Sequence, residues 1–359
     1  MSLQNRGLVK TAVGKAALQP VPIPKLRPEY ILVKTIAVAL NPTDWQTVDE
    51  KFRPGTMHSL LGCDAAGIVV EVGSKVTKKF EKGDRILGFS HGGNDLEPED
   101  GCFANYILMK GDLCAHIPPN LSFEEAATLP CGLGTIGLGF YKHLELLFPT
   151  FPLEKKDSGT PILIYGGSSA TGTLAIQFAK LSGLKVITTA SPHNFELLKK
   201  LGADHVFDYH DPNCGAGINA LTKNELTLVF DTITTTSSAK ICAAAISTLP
   251  SPPLEKKIYV NLMGIDFPCS DVENIFFLGY TMSGEAFEIE GEKWDAVPED
   301  YELGKKFISF SEKLLEEGVV RGHPVRMLEG GLEGILGGME ELKQGRVSGV
   351  KLVARVGEP

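Results

Sequence analysis

Long apolar runs are missing from this 359-residue chain: no window approaches the ~20 apolar residues that a membrane span needs. No basic start followed by an apolar core opens the sequence, so secretion and membrane insertion are unsupported and the cytosol is the expected compartment. Paired cysteines are missing too. Cys63, Cys102, Cys114, Cys131, Cys214, Cys242 and Cys269 form an odd, scattered set without a CxxC, which argues against a zinc knuckle and a disulfide framework. They are expected to be buried small hydrophobes for the most part. Positive charge is short as well: 35 Lys and Arg face 44 Asp and Glu, and a net charge of −9 argues against a nucleic-acid surface. The one run of mixed charge, Lys75 to Arg85, alternates in sign and reads as a solvated loop. Internal repeats and low-complexity stretches are absent. What remains is an apolar fraction of 43% with 22% charged residues, ordinary for a globular enzyme and long enough for two domains.

The first third is rich in Gly and Pro and holds short β-type runs at 30–40, 65–73, 83–89 and 102–110, which suggest a twisted, partly closed antiparallel domain. Asn120 or Ser122 is placed to cap a helix carrying Glu124 and Glu125 in its first turn, and a second helix over 132–146 follows Pro130. A loop rich in Pro and charge, 148–161, separates these from a new pattern. From 161 onward strands alternate with helices: "PILIYG" then 171–182, "KVITTAS" then 193–201, "HVFDY" then a weaker helix, "LTLVFDTI" then 237–247, and "KKIYVNLMG". That rhythm is a doubly wound parallel sheet. An amphipathic helix over 301–318 ends at Gly318, and the tail reads strand, helix, strand and returns to the first domain. The expected division is 1–134, 135–318 for the dinucleotide-binding domain, and 319–359 for the return.

The stretch "IYGGSSATGTLAIQFAK" (164–180) follows a strand, opens a helix and heads a βαβ unit, the context that makes a glycine-rich turn a dinucleotide cradle. A full fingerprint would place glycines at 167, 169 and 172, but Ser169 stands at the middle position. The expectation is that Ser169 compensates by donating its hydroxyl to phosphate. About 20 residues on, where an acid would bind a ribose 2′-hydroxyl, the chain reads "TTASPHN" with no carboxylate before Glu196, which favours NADPH over NADH. Tyr209 ends the third strand, either flanking the same phosphate or simply packing there.

With these elements in place, "NPTDW" (41–45), "LGCDAAGIVVEVGSKV" (61–76), "GDRILG" (83–88), "AATLPCGLGTIG" (126–137) and the 164–180 loop with "LGADHVFDY" (201–209) resemble the medium-chain dehydrogenase/reductase superfamily. "YGGSSATGT", "SPHNFELLKKLGADHVFDY" and "GRVSGVKLV" look most like the fungal trans-acting enoyl reductases of the lovastatin-pathway type. The resemblance implies a doubly wound parallel Rossmann sheet inserted in a β-rich GroES-like catalytic domain. It also implies NADPH as cofactor, no metal, and an enoyl substrate held on the carrier protein of a polyketide synthase. Carried over residue by residue, it implies cofactor contacts at Thr43, Asp44, Trp45 and Gln46, at Ser168, Ser169, Ala170 and Thr171, and at Ser191, Pro192, His193 and Asn194. Tyr209, Leu262, Met263, Ser348 and Gly349 complete that set. Substrate contacts are implied at Thr135, Ile136, Gly137 and Leu138 and at Phe277, Leu278, Gly279, Tyr280 and Thr281. One departure stands out: the reductases commonly carry Lys where this chain has Gln46.

The zinc branch of the superfamily places catalytic ligands at positions that match Gln46, Cys63 and Cys131, with Asp64 adjacent. Gln is a poor ligand and Cys63 replaces the expected His, so no metal is expected. Without a Lewis acid, reduction of an α,β-unsaturated carbonyl is less demanding than carbonyl reduction or alcohol oxidation, because the charge spreads into an enolate that donors can stabilise. Thr135, Tyr280 and Gln46 are the candidate catalytic residues; His91, His116 and His143 are read as structural or surface. Three functions stay open: an enoyl reductase serving a synthase, a quinone or enone oxidoreductase acting on free small molecules, and a non-catalytic NADPH gauge. A monomer is expected, with 285–301 covering the edge of a last strand near 276–284.

Overall fold

The computed structural model describes residues 4–49, 57–153, 158–250, 256–289 and 291–359. Residues 154–157 of the expected connecting loop and residue 290 of the acidic segment lie outside the described residues. An antiparallel ribbon, Arg6–Ala12 (β1) and Lys15–Pro20 (β2), is followed by Tyr30–Ala39 (β3) and the helix Pro42–Asp49 (α1). Then come Asp64–Val72 (β4), Arg85–Phe89 (β5), Tyr106–Lys110 (β6) and Ala115–His116 (β7). β3 pairs with both β4 and β6 and is buried along most of its length, so it reads as a nearly unbroken apolar run rather than an alternation. The β3–β4 ladder sets Ala39 opposite Asp64. Helix Phe123–Ala127 (α2) starts with a capping box in which Ser122 and Glu125 satisfy each other's backbone amides. Helix Pro130–Leu138 (α3) runs on into a π-helical turn, Gly139–His143.

Next come Pro161–Tyr165 (β8), Ala170–Leu181 (α4), Lys185–Ala190 (β9), Phe195–Lys200 (α5), His205–Asp208 (β10) and Cys214–Leu221 (α6). Leu228–Asp231 (β11), Thr236–Ala245 (α7), Ile258–Asn261 (β12) and Glu273–Phe276 (β13) complete the series. All six strands are parallel, in the order β10-β9-β8-β11-β12-β13, so the winding direction reverses between β8 and β11. The last strand lies at 273–276, not near 276–284 as expected. Phe276 is the last residue to pair with β12, Phe277 turns in to pack its ring 4.7 Å from that of His143, and Gly279–Ser283 forms a 3-10 turn.

A short hairpin, Phe287–Ile289 (β14) with Glu292–Trp294 (β15), precedes the long helix Pro298–Glu316 (α8). Val325–Leu328 (β16), Ile335–Lys343 (α9) and Lys351–Arg355 (β17) follow, and β17 joins β16 to β3 in a seven-stranded sheet. The chain forms two compact units, residues 1–134 with 280–359, and residues 135–279. Residues 280–318, assigned from sequence to the dinucleotide-binding domain, belong to the first unit instead. The reason is their partners. Glu312 of α8 pairs with Lys78 and His116, Asp300 accepts from Thr281 at 2.6 Å, and Gly304 lies so close to Leu113 and Met282 that a Cβ would clash with both. No described helix is long and apolar enough to cross a membrane.

Candidate active site

In the second unit, five of the six strands end at residues singled out from sequence or beside them. β8 runs into Gly166 and Gly167. Gly166 has φ +81°, a left-handed value that favours glycine, and a Cβ on Gly167 would come within 2.1 Å of Thr188 Oγ1 on β9. Gly172 lets α4 sit against the strand end, since a Cβ there would lie 2.3 Å from the carbonyl oxygen of Gly166. Ser169 is the N-cap of α4: its Oγ accepts the Gly172 N–H at 2.9 Å and lies 2.8 Å from Thr232 Oγ1. Thr232 Oγ1 also lies within hydrogen-bond reach of the carbonyls of Tyr165 and Gly166. Ser169 thereby also staples the helix start to the turn after β11. The N–H groups of Ala170 and Thr171 have no carbonyl one turn back in α4, and residues 168–171 are partly exposed, so the helix start keeps its anion-binding capacity.

Ser191 and Tyr209, from the turns after β9 and β10, meet at 3.3 Å, with Ser191 donating, and His210 stacks on the Tyr209 ring. Tyr209 is partly exposed rather than packed away. Asp231, fully buried at the end of β11, shapes the adjoining turn. Its carboxylate accepts from the N–H groups of Ile233 and Thr234, from Ser238 Oγ at 2.6 Å and from Tyr259 Oη at 2.8 Å. Thr234, at φ +52°, then accepts the Leu262 N–H, which ties the turn after β12 to the turn after β11. Sequence reading missed Asp231 and Thr232; a strand ending in Asp followed by three threonine-type residues within four positions was the available signal. The residues present fit a dinucleotide: glycines where a side chain would clash, a capped helix start, and hydroxyls without an acid beyond β9.

In the first unit the buried centre is Asp64, at the start of β4. Its Oδ2 lies 2.5 Å from Lys351 Nζ and accepts Asn41 Nδ2 at 2.7 Å, while Oδ1 accepts the Cys131 N–H at 2.5 Å. Lys351 Nζ also donates to Asn41 Oδ1 at 3.0 Å. Asn41 sits between the end of β3 and the start of α1, so it faces β4; Gln46 is a turn further along the helix and half-exposed. The α1 region thus reaches Asp64 through Asn41. Asp44 Oδ2 accepts the Asn41 N–H at 2.6 Å; its other oxygen is buried without a hydrogen-bond partner, and burial raises its pKa to about 8. Tyr280 is buried, its ring stacked 3.5 Å from His91, its hydroxyl sharing a hydrogen bond with Cys63 Sγ at 3.2 Å and bonded by Thr43. Burial, then the nearby Cys63, pushes the Tyr280 pKa well up, and burial pushes the Cys63 thiol up as well. Ser348 and Gly349 lie just before Lys351, which opens β17.

Zinc does not fit this arrangement. Both oxygens of Asp64 are taken, one of them by an ammonium group, and Cys63 keeps its proton beside a tyrosine. Among the described residues no group of three or more His, Cys, Asp or Glu side chains is arranged to hold a metal ion. Of the remaining sequence candidates, Thr135 is buried in α3, near enough to Gly279 that an added Cβ would stand 3.8 Å from its Oγ1. His91 stacks on Tyr280, His116 bonds Glu312 and Asp84, and His143 packs on Phe277.

A parallel sheet with its cradle at the strand reversal, set within the sequence of a mixed β unit, defines a medium-chain dehydrogenase/reductase. Residues 27–119 match the alcohol dehydrogenase GroES-like domain, and residues 170–248 match the zinc-binding dehydrogenase family, a span that includes neither Cys63 nor Cys131. The trans-enoyl reductase ACTTS2 of Alternaria alternata is 46% identical over 356 residues, 99% of each chain. TOXD of Cochliobolus carbonum is 51% identical over 79% of this chain and 92% of its own, and resD of Aspergillus sclerotiorum 42% over 98% and 100%. The chain belongs to the trans-enoyl reductase family. Among solved structures, the CurK enoyl reductase matches with a TM-score of 0.74 at 20% identity, covering 99% of this chain and 100% of that one. An alcohol dehydrogenase superfamily protein of Novosphingobium aromaticivorans matches with 0.75 at 21%, over 99% and 100%. These two likenesses concern the fold.

Proposed function

We propose that the protein is an NADPH-dependent, metal-independent trans-acting enoyl reductase that reduces α,β-unsaturated polyketide thioesters presented on the carrier protein of a synthase. The observation that carries the reading is the Ser191–Tyr209 pair beside the capped start of α4, with no carboxylate in the turn after β9, in a chain of this family. The N–H groups of Ala170 and Thr171 and the hydroxyls of Ser168 and Thr171 hold the pyrophosphate. Ser191 to Asn194 and Tyr209 hold the 2′-phosphate, and Thr43 to Gln46, Leu262, Met263, Ser348 and Gly349 supply the other cofactor contacts.

NADPH, when bound, supplies the hydride that goes to the β-carbon of the enoyl group. The chain's own residues then have two tasks, to hold the thioester and to stabilise the enolate charge until the α-carbon takes a proton from water or a weak acid. Ile136 to Leu138 and Phe277 to Thr281 hold the acyl portion. Thr135 donates to the enolate oxygen. Tyr280 is a poorer donor, because Cys63 and Thr43 already engage its hydroxyl and burial holds its proton. Gln46 can offer a hydrogen bond but, unlike a lysine, no proton.

The test uses metal-stripped protein with a pantetheine-tethered enoyl thioester, a free quinone in parallel, and NADH as the cofactor control. Turnover of the thioester with NADPH is expected. Turnover of the quinone alone would move the protein to a detoxifying role and remove the synthase partner. The same reading has the protein working as a cytosolic monomer. The edge strand β13 supports that state, being four residues long with Glu273 exposed on it, two devices that disfavour edge pairing. Light scattering should give a mass near 38.7 kDa; twice that mass would overturn it.

A further inference from the structure

We propose that Lys351 is a positioning residue for the cofactor-facing segments of the first unit, acting through Asp64. The inference rests on the NADPH reading above. Lys351 and Asp64 are both buried, and their contact joins residues 287 apart in sequence. Asn41 closes a triangle with them, giving its amide to the same Asp64 oxygen and taking a hydrogen bond from the ammonium. The second Asp64 oxygen holds the Cys131 N–H at the start of α3, and the Asn41 N–H holds Asp44 in the first turn of α1. One carboxylate therefore registers three stretches of chain against each other: the β3–α1 corner, the entry to α3 and the entry to β17.

Two of these stretches run directly into proposed cofactor contacts. Thr43 to Gln46 follow Asn41, and Ser348 and Gly349 precede Lys351 by three and two residues. An apolar pair of similar volume would fill the same space and keep a core folded, because burying two charges is expensive even when they are paired. Such a pair would leave Asn41 and the Cys131 amide without a direction. The directional contacts, rather than the filled volume, are what the ion pair adds here. The ammonium of Lys351 supplies the countercharge to Asp64 within the chain itself.

The test compares wild type with Lys351→Met, the charge-free pair Asp64→Asn with Lys351→Met, and Lys351→Arg. The readouts are the NADPH dissociation constant from its fluorescence, KM for NADPH and kcat on the enoyl thioester, and the thermal midpoint. In folded variants lacking the ion pair, the dissociation constant and KM for NADPH should rise together about tenfold, with kcat at saturation within about twofold of wild type. Lys351→Arg should recover most of the difference. A lowered midpoint with unchanged NADPH affinity overturns the inference, since the pair would then serve stability alone. Loss of the folded transition in both Met variants overturns it for the same reason. Wild type that fails to bind NADPH would overturn the cofactor reading and this inference together, whereas wild type and variants that bind equally well would overturn this inference alone.

Discussion

In the first unit the polar core rests on a full charge pair, Lys351 against Asp64, with Asp44, Asn41 and the Tyr280–His91 stack around it. In the second it rests on one carboxylate, Asp231, satisfied by two backbone amides and two hydroxyls that lie within 28 residues along the chain. Removing a partner has different consequences in the two places. An ammonium or carboxylate left behind in the first unit has nowhere to put its charge, whereas a hydroxyl left behind in the second can turn to another acceptor. The cradle end of the second unit is sensitive to something else. There, backbone segments approach so closely that added volume, not lost charge, is the threat.

The sharpest way to break this comparison is Asp64→Ala. It leaves Lys351 buried and unpaired and should cost about 3 kcal/mol or more of stability, read by urea unfolding; a cost under about 1 kcal/mol would show that the pair is not the support of its unit. Gly172→Val comes next. Its Cβ would meet the backbone carbonyl of Gly166, which cannot step aside, so a loss of about 3 kcal/mol and a large drop in NADPH affinity are expected in a fluorescence titration. An unchanged affinity would mean that the cradle does not bind the cofactor.

Titration gives a third handle. Burial lowers the His91 pKa from 6.5 to about 3, so the folded protein prefers the neutral ring. The stability this preference carries is whole above pH 6.5 and is lost as the pH falls toward 3. His91→Phe keeps an aromatic face against Tyr280 and removes the titration. Relative to its offset from wild type at pH 7.5, the variant should gain about 2 kcal/mol at pH 5. A parallel decline of both proteins over that range would refute the assignment.

Smaller effects sharpen the cradle side. Ser191→Asp places an acid beside Tyr209, and the NADPH-to-NADH ratio of kcat/KM should fall about tenfold; an unchanged ratio would put the 2′-phosphate elsewhere. Ser169→Gly restores the full glycine fingerprint but removes the cap on α4, and should cost only a few tenths of a kcal/mol in thermal denaturation. A cost above about 1 kcal/mol would show that the Ser169–Thr232 staple matters more than the cap.

The second unit was legible because its signals are local. The strand–helix alternation from 161 onward, the glycines at 166, 167 and 172, and the turn "SPHN" each lie within one βα unit, where spacing and side-chain type suffice. The departure at Ser169 was legible as a departure, but not its hydrogen bond to Thr232, which arrives 63 residues later. The edge strand was misplaced by a few residues because "IFFLGY" is apolar throughout and only pairing with β12 marks its end. Residues 280–318 were assigned to the wrong unit for a related reason. An amphipathic helix declares that it has a buried face, and its sequence does not say what lies against that face.

The least legible feature is the buried pair. Nothing beside the Lys of "KLVARV" marks it as buried, and Asp64 within "GCDAAG" stands out only as a neighbour of the zinc-ligand positions. What the sequence by itself determined was everything governed by neighbours along the chain: the class of sheet, the nucleotide turn, a polar cap before α2 and the absence of an acid after β9. Only the tertiary structure decided which charge answers which. Burial makes an unpaired charge untenable, and the partner that satisfies it is selected by distance in space, a quantity that 287 residues of intervening chain do not encode locally.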